Sequence, residues 1–143
     1  MEHVEGVDPV AVIAHRVREV RARHGFTAQQ LADKLREAGV PWDRATVTKL
    51  ETGRRQNVSI VEVLALARVL DVALVHLLVP TDDEQRYQVT PTEALPAGRV
   101  RPWVRGIVPL PGTDSRIFHT EKPLAELQAW DGEDRPAPPE REE

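Results

Sequence analysis

Residues 41–55 read Pro41-Trp42-Asp43-Arg44-Ala45-Thr46-Val47-Thr48-Lys49-Leu50-Glu51-Thr52-Gly53-Arg54-Arg55. Nothing breaks a helix between Asp43 and Thr52, yet only Val47 and Leu50 are large and apolar within it. Asp43 is a suitable N-cap and Gly53 a suitable stop. At 3.6 residues per turn Val47 and Leu50 share one side, with Trp42 nearby. Arg44, Ala45, Thr48 and Lys49 are left on the other. A helix with so thin an inner face needs neighbours to seat it and leaves a polar side for a partner.

The neighbours are legible on both sides. Upstream, Ile13, Val17, Val20 and His24 recur at helical spacing and predict a first helix ending near Gly25. Thr27 with Gln30 three residues on is a capping box for a second, with Leu31, Ala32 and Leu35 inward and Gly39 beyond its end. Downstream, Ser59 with Glu62 is another capping box, opening a fourth helix with Ile60, Val63, Leu64, Ala67 and Leu70 as its expected inner face. Leu74 to Val79 adds a last turn or two before Pro80. The expected fold class is therefore all-α, with five short helices over residues 8–80.

Charge divides the chain at the same point. The formal net charge is −4, but Val10–Val58 holds ten Lys/Arg against five Asp/Glu, and Pro80–Glu143 holds eight against thirteen. Phosphate binding follows local charge, so the basic half remains a candidate for nucleic acid. Ten of the twelve prolines lie at or after Pro80. Residues 81–130 read as a separate extension, with Thr81–Glu84 an acidic linker. Tyr87–Thr90, Arg99–Leu110 and Arg116–His119 read as short extended segments limited by proline, and Lys122–Trp130 as a short helix. Residues 131–143, rich in Pro, Glu and Arg, read as a disordered tail.

Helices two and three, held between one and four, describe a helix-turn-helix. Arg44 and Lys49 can donate to guanine, Thr48 can donate or accept, and Ala45 offers a methyl to thymine. Phe26–Leu35, Arg44–Arg55 and Ser59–Val72 resemble blocks of the Xre, or lambda-repressor-like, helix-turn-helix family, in the right order over roughly residues 10–80. The resemblance implies that Arg21 and Glu51 bridge helices one and three. It implies that Thr27, Ala28 and Gln29 form the start of helix two, where backbone N–H groups and a side chain hold a phosphate, and Thr27, Gln29 and Gln30 are the expected phosphate contacts there. Thr46 and the loop residues Arg54 and Arg55 are placed with the phosphate contacts. Val47 and Leu50 take the structural role.

Two departures stand out. Ala28 occupies a position where many members carry a phosphate-binding glutamine, so that contact is lost or passes to Gln29 or Gln30. The link Arg36–Trp42 is about five residues longer than the usual turn. It is similar to a variant of actinobacterial regulators with a Gly-x-Pro stretch before helix three, here Gly39-Val40-Pro41, and Trp42 is expected to pack under it. Arg101–Gly112 also resembles segments that follow such domains, with no role attached.

The expected function is a sequence-specific DNA-binding transcriptional regulator, a repressor acting as a homodimer on double-stranded DNA. Alternatives are an antitoxin-like or other protein-interaction module with autoregulatory DNA binding, or a regulator sensing a protein or small-molecule partner through residues 85–130. His3, His15, His24, His76 and His119 lack metal-ligand spacing, and the chain has no cysteine. No cofactor, metal or catalytic residue is expected, and no enzyme. With no apolar run of the ~20 residues a bilayer requires, the expectation is a cytoplasmic protein without a membrane partner.

Overall fold

The computed structural model describes residues 4–123, 125 and 126. Five helices come first: α1 (Pro9–His24), α2 (Ala28–Glu37), α3 (Arg44–Glu51), α4 (Ile60–Val69) and α5 (Leu74–Leu78). Capping signals in the sequence act as read. Thr27 and Ser59 each close a full capping box, with Gln30 and Glu62 returning to the cap's backbone N–H. At Gly39, φ is 88°. There Gly39 N–H bonds the Arg36 carbonyl and Val40 N–H the Leu35 carbonyl, a Schellman ending that needs a left-handed residue. Asp71 does the same work after α4 with φ 50°.

The principal core joins α1, α2, α3 and α4 through Ile13, Val17, Val20, Leu31, Leu35, Val47, Leu50, Val63, Leu66 and Leu70, with Trp42 buried among them. Two expectations need correction here. On α4 the inward residues are Val63, Leu66, Ala67 and Leu70, while Ile60 and Leu64 face out. The capping box sets this rotation: Glu62 turns toward Ser59, Trp42 and Arg55, which carries Ile60 and Leu64 away from the core. His24, expected on the inner face of α1, is largely exposed. Its ring stacks on Phe26 at 5.2 Å and its Nε2 bonds the Leu70 carbonyl.

The chain beyond Pro80 is not purely helical or extended. A β-hairpin forms from β1 (Arg86–Thr90) and β2 (Glu93–Pro96), antiparallel with Tyr87 opposite Leu95. The all-α expectation therefore holds only approximately: the protein is mostly helical with one two-stranded sheet. Val7, before α1, bridges Tyr87 in parallel fashion, its N–H on the Arg86 carbonyl and its carbonyl receiving Gln88 N–H.

Residues read as extended fold differently. Ala97–Val104 is α6, because Ala97, Val100 and Trp103 recur at helical spacing and the first two are fully buried. Arg101 anchors α6 to the turn before it, donating to Asp83 at 2.5 Å and to the Pro80 carbonyl. Ser115–Thr120 is α7, begun by Asp114, whose carboxylate accepts Arg116 N–H. The rest of the expected helix at Lys122–Trp130 and the expected tail lie outside the described residues.

A second, smaller core results. Val12 of α1 and Val75 and Val79 at α5 pack with Tyr87, Ala97 and Val100. Burial, with Asp8 nearby, pushes the Tyr87 hydroxyl up to about 12, so it stays protonated.

Candidate nucleic-acid interface

The candidate reading helix α3 is held at both ends and from below. At its start the Asp43 carboxylate accepts both the backbone N–H and the hydroxyl of Thr46, each at 2.8 Å. The Thr46 hydroxyl bond is the chief cause that holds the Asp43 carboxyl below its ordinary range. Beneath, Val47 and Leu50 are fully buried. At its end Glu51 receives Arg21 from α1 in a two-pronged pair, 2.6 and 2.9 Å, while the third guanidinium nitrogen donates to the Phe26 carbonyl. The Glu51 hydrogen bond outweighs partial burial and raises the Arg21 pKa. The helix then stops at Gly53, where Arg54 N–H returns to the Lys49 carbonyl.

What remains outward is Arg44, Ala45, Thr48 and Lys49, all exposed. The Arg44, Lys49 and Arg54 side chains have no hydrogen bond or ion pair among the described residues. The Thr48 hydroxyl donates to the Arg44 carbonyl at 3.0 Å, which leaves its lone pairs open to a donor. Thr46 is half-buried and its hydroxyl is committed to Asp43.

At the start of α2 the side chains are already engaged. Thr27 and Gln30 cap one another, and the Gln29 amide donates to Asp33 at 2.9 Å. An anion there would meet chiefly the first-turn N–H groups and the helix dipole. Arg55 is likewise drawn inward: it pairs with Glu62 at 3.0 Å and lies over the Trp42 ring, 4.7 Å from its centroid. Arg54 is the loop arginine left facing solvent.

Sequence reasoning missed the role of Glu62. Beyond capping Ser59, its carboxylate receives the Trp42 indole N–H at 2.6 Å as well as Arg55. Burial pushes this carboxyl up, but bonds from Ser59, Arg55 and Trp42 outweigh it and hold it below its ordinary value. One acid thus ties the lengthened 38–43 link, the loop after α3 and the start of α4. A buried tryptophan needs an acceptor for its N–H, and that was the available clue.

A family model described as a helix-turn-helix domain matches residues 12–78. This chain is a helix-turn-helix protein. Its matched segment spans α1 to α5, and the DNA-binding regulator is the function this kind of domain carries. A hypothetical transcription factor from Neisseria, solved as a crystal structure, is 30% identical over 57% of this chain and 86% of its own, with TM-score 0.46. The restriction-modification controller protein C.AhdI from Aeromonas hydrophila is 35% identical over 48% of this chain and 94% of its own, with TM-score 0.41. None of the curated protein sequences matches the chain. No helix among the described residues is long and apolar enough to cross a membrane.

Proposed function

We propose that this helix-turn-helix protein is a sequence-specific transcriptional repressor that reads the major groove with α3 as a homodimer. The observation that carries the reading is the outward side of α3. Arg44 and Lys49 are donors with no hydrogen bond or ion pair among the described residues, on a helix whose direction is fixed by Asp43, by Val47 and Leu50, and by Arg21–Glu51. A bidentate arginine or a lysine on guanine O6 and N7 discriminates by roughly 1–3 kcal/mol per base pair. Ala45 keeps the helix close to the base edges, and Thr48 accepts or donates beside it.

Phosphate contacts fall around this reader. The N–H groups of Ala28 and Gln29, with the remaining amide donors of the Gln29 and Gln30 side chains, hold one strand. Arg54, assisted by the outer N–H groups of Arg55, holds the other; Thr46, expected among these contacts, spends both its N–H and its hydroxyl on Asp43. A helix of eight residues reads one half-site, so two copies are needed for a site of useful length. Two copies bound across a promoter would exclude other proteins from it, which is the basis for repression.

Selection of bound duplexes from random DNA tests the proposal. The expected product is an inverted repeat whose half-sites are about 34 Å, one helical turn, apart. Absence of any enriched motif would contradict it. The ligand-sensing alternative has one observation in its favour. A cavity of about 290 Å³ lies between α1 and the start of the extension, with His15, Arg16, Glu19, Asp82 and Gln85 in its lining.

A further inference from the structure

Exposed aliphatic side chains of the helix-turn-helix unit gather on α4. Ile60 is 75%, Val61 69% and Leu64 51% exposed. At helical spacing Ile60 and Leu64 fall along one stripe with Val61 and Arg68 beside it, and the left-handed turn at Asp71 closes the helix at the stripe's far end. The stripe has two unlike halves. Its N-terminal half projects three aliphatic side chains. Its C-terminal half opens on a shallow hollow of about 360 Å³ lined by Ala67, Arg68, Asp71, Val72 and Ala73.

A contact between two identical copies about a two-fold axis must be complementary to itself. A patch of one charge fails that test, since it meets its own sign across the axis. Here the projecting side chains are uncharged, and the hollow is lined by three small apolar residues together with one cation and one anion, both exposed. We infer that this α4 face is where two copies of the chain meet, Ile60, Val61 and Leu64 of each entering the hollow of the other. Arg68 of each copy then faces Asp71 of the other. The inference rests on the homodimer reading above and names its surface.

The size of the patch sets its strength. Three aliphatic side chains cover well under the ~800 Å² per partner of a standard stable interface. The pair is therefore weak in free solution and forms on DNA, where adjacent half-sites hold the copies at high effective concentration. The same helix carries Glu62, which braces Trp42 and Arg55. The surface that joins the copies is thus rigidly tied to the loop after the reading helix.

The test compares the full chain with an Ile60→Ser/Leu64→Ser double variant, which alters neither charge nor buried side chains. The probes are the duplex recovered by selection with the wild type and a duplex carrying one of its half-sites. Sedimentation velocity should show a free wild-type monomer at micromolar concentration and two copies on the two-site duplex. The double variant should load one copy, with affinity for the two-site duplex lowered about tenfold to a hundredfold and half-site affinity unchanged. Two variant copies bound at undiminished affinity would overturn the α4 assignment while leaving the homodimer reading standing. An equal loss on the single half-site would also overturn it, by placing the patch against DNA. A single wild-type copy on every selected duplex would overturn the homodimer reading, and the α4 contact with it.

Discussion

Glu62 shows how one side chain can set the geometry of a binding surface it never touches. Its carboxylate gathers the Ser59 N–H, the Trp42 indole and the Arg55 guanidinium. Glu62→Ala would leave the buried indole N–H without an acceptor and free Arg55 from the Trp42 ring. The expected cost is about 2–3 kcal/mol, read as a lowered urea midpoint with unchanged slope. Arg54 tests the opposite kind of residue, one with no internal role. Arg54→Ala should leave stability unchanged, weaken binding to all DNA sequences alike and reduce the salt slope by about one. A change confined to one sequence would place Arg54 at a base edge instead.

At the scale of elements, α3 and α4 each carry a carboxylate in the cap that starts them, Asp43 as the N-cap of α3 and Glu62 in the capping box of α4. Asp43 and Glu62 both titrate below their ordinary values in the folded chain. A depressed folded pKa contributes stability that is present above the unfolded value and is lost as pH falls through the folded one. The protein should therefore lose stability from roughly pH 5 downward, and Glu62→Gln should flatten that descent. A variant whose urea midpoint falls with the wild-type slope would contradict this. The capping boxes, Gly39 and Gly53 were legible because each is a local chemical signal. The inner face of α4 was misread because Ile60 and Leu64 fit the helical period as well as Leu66 does. The choice was made by Glu62 and its distant partners. α6 was misread for a similar reason, whereas α7 was misread although a local cap, Asp114, begins it. In α6 alternating valines suggested a strand, whereas burial of Ala97 and Val100 against α1 and α5 requires the whole fold to be known.

At the scale of the whole molecule, the extension and the helix-turn-helix unit share a second core built on α1. Tyr87 sits in it beside Val12, Val75, Val79 and Val100. Tyr87→Ala should cost about 3 kcal/mol and lower the melting temperature of the full chain, although residue 87 lies beyond the matched segment. If the melting temperature does not change, that second core contributes nothing to the stability of the unit. The N-terminal segment shares this core through Val7, a pairing that no local pattern announces. The candidate reading face was legible more fully than the fold around it, because exposed Arg44 and Lys49 follow from the period of one short helix. The direction of that helix rests on Arg21–Glu51 and Trp42–Glu62, which bring residues 20 or more positions apart together. The central claim is that α3 reads bases through Arg44 and Lys49. The direct measurement is the base preference of the wild type, Arg44→Ala and Lys49→Ala over the same random DNA pool. Each variant should lose preference at one or two base pairs and keep the rest; motifs identical to the wild type in both would show that another surface does the reading.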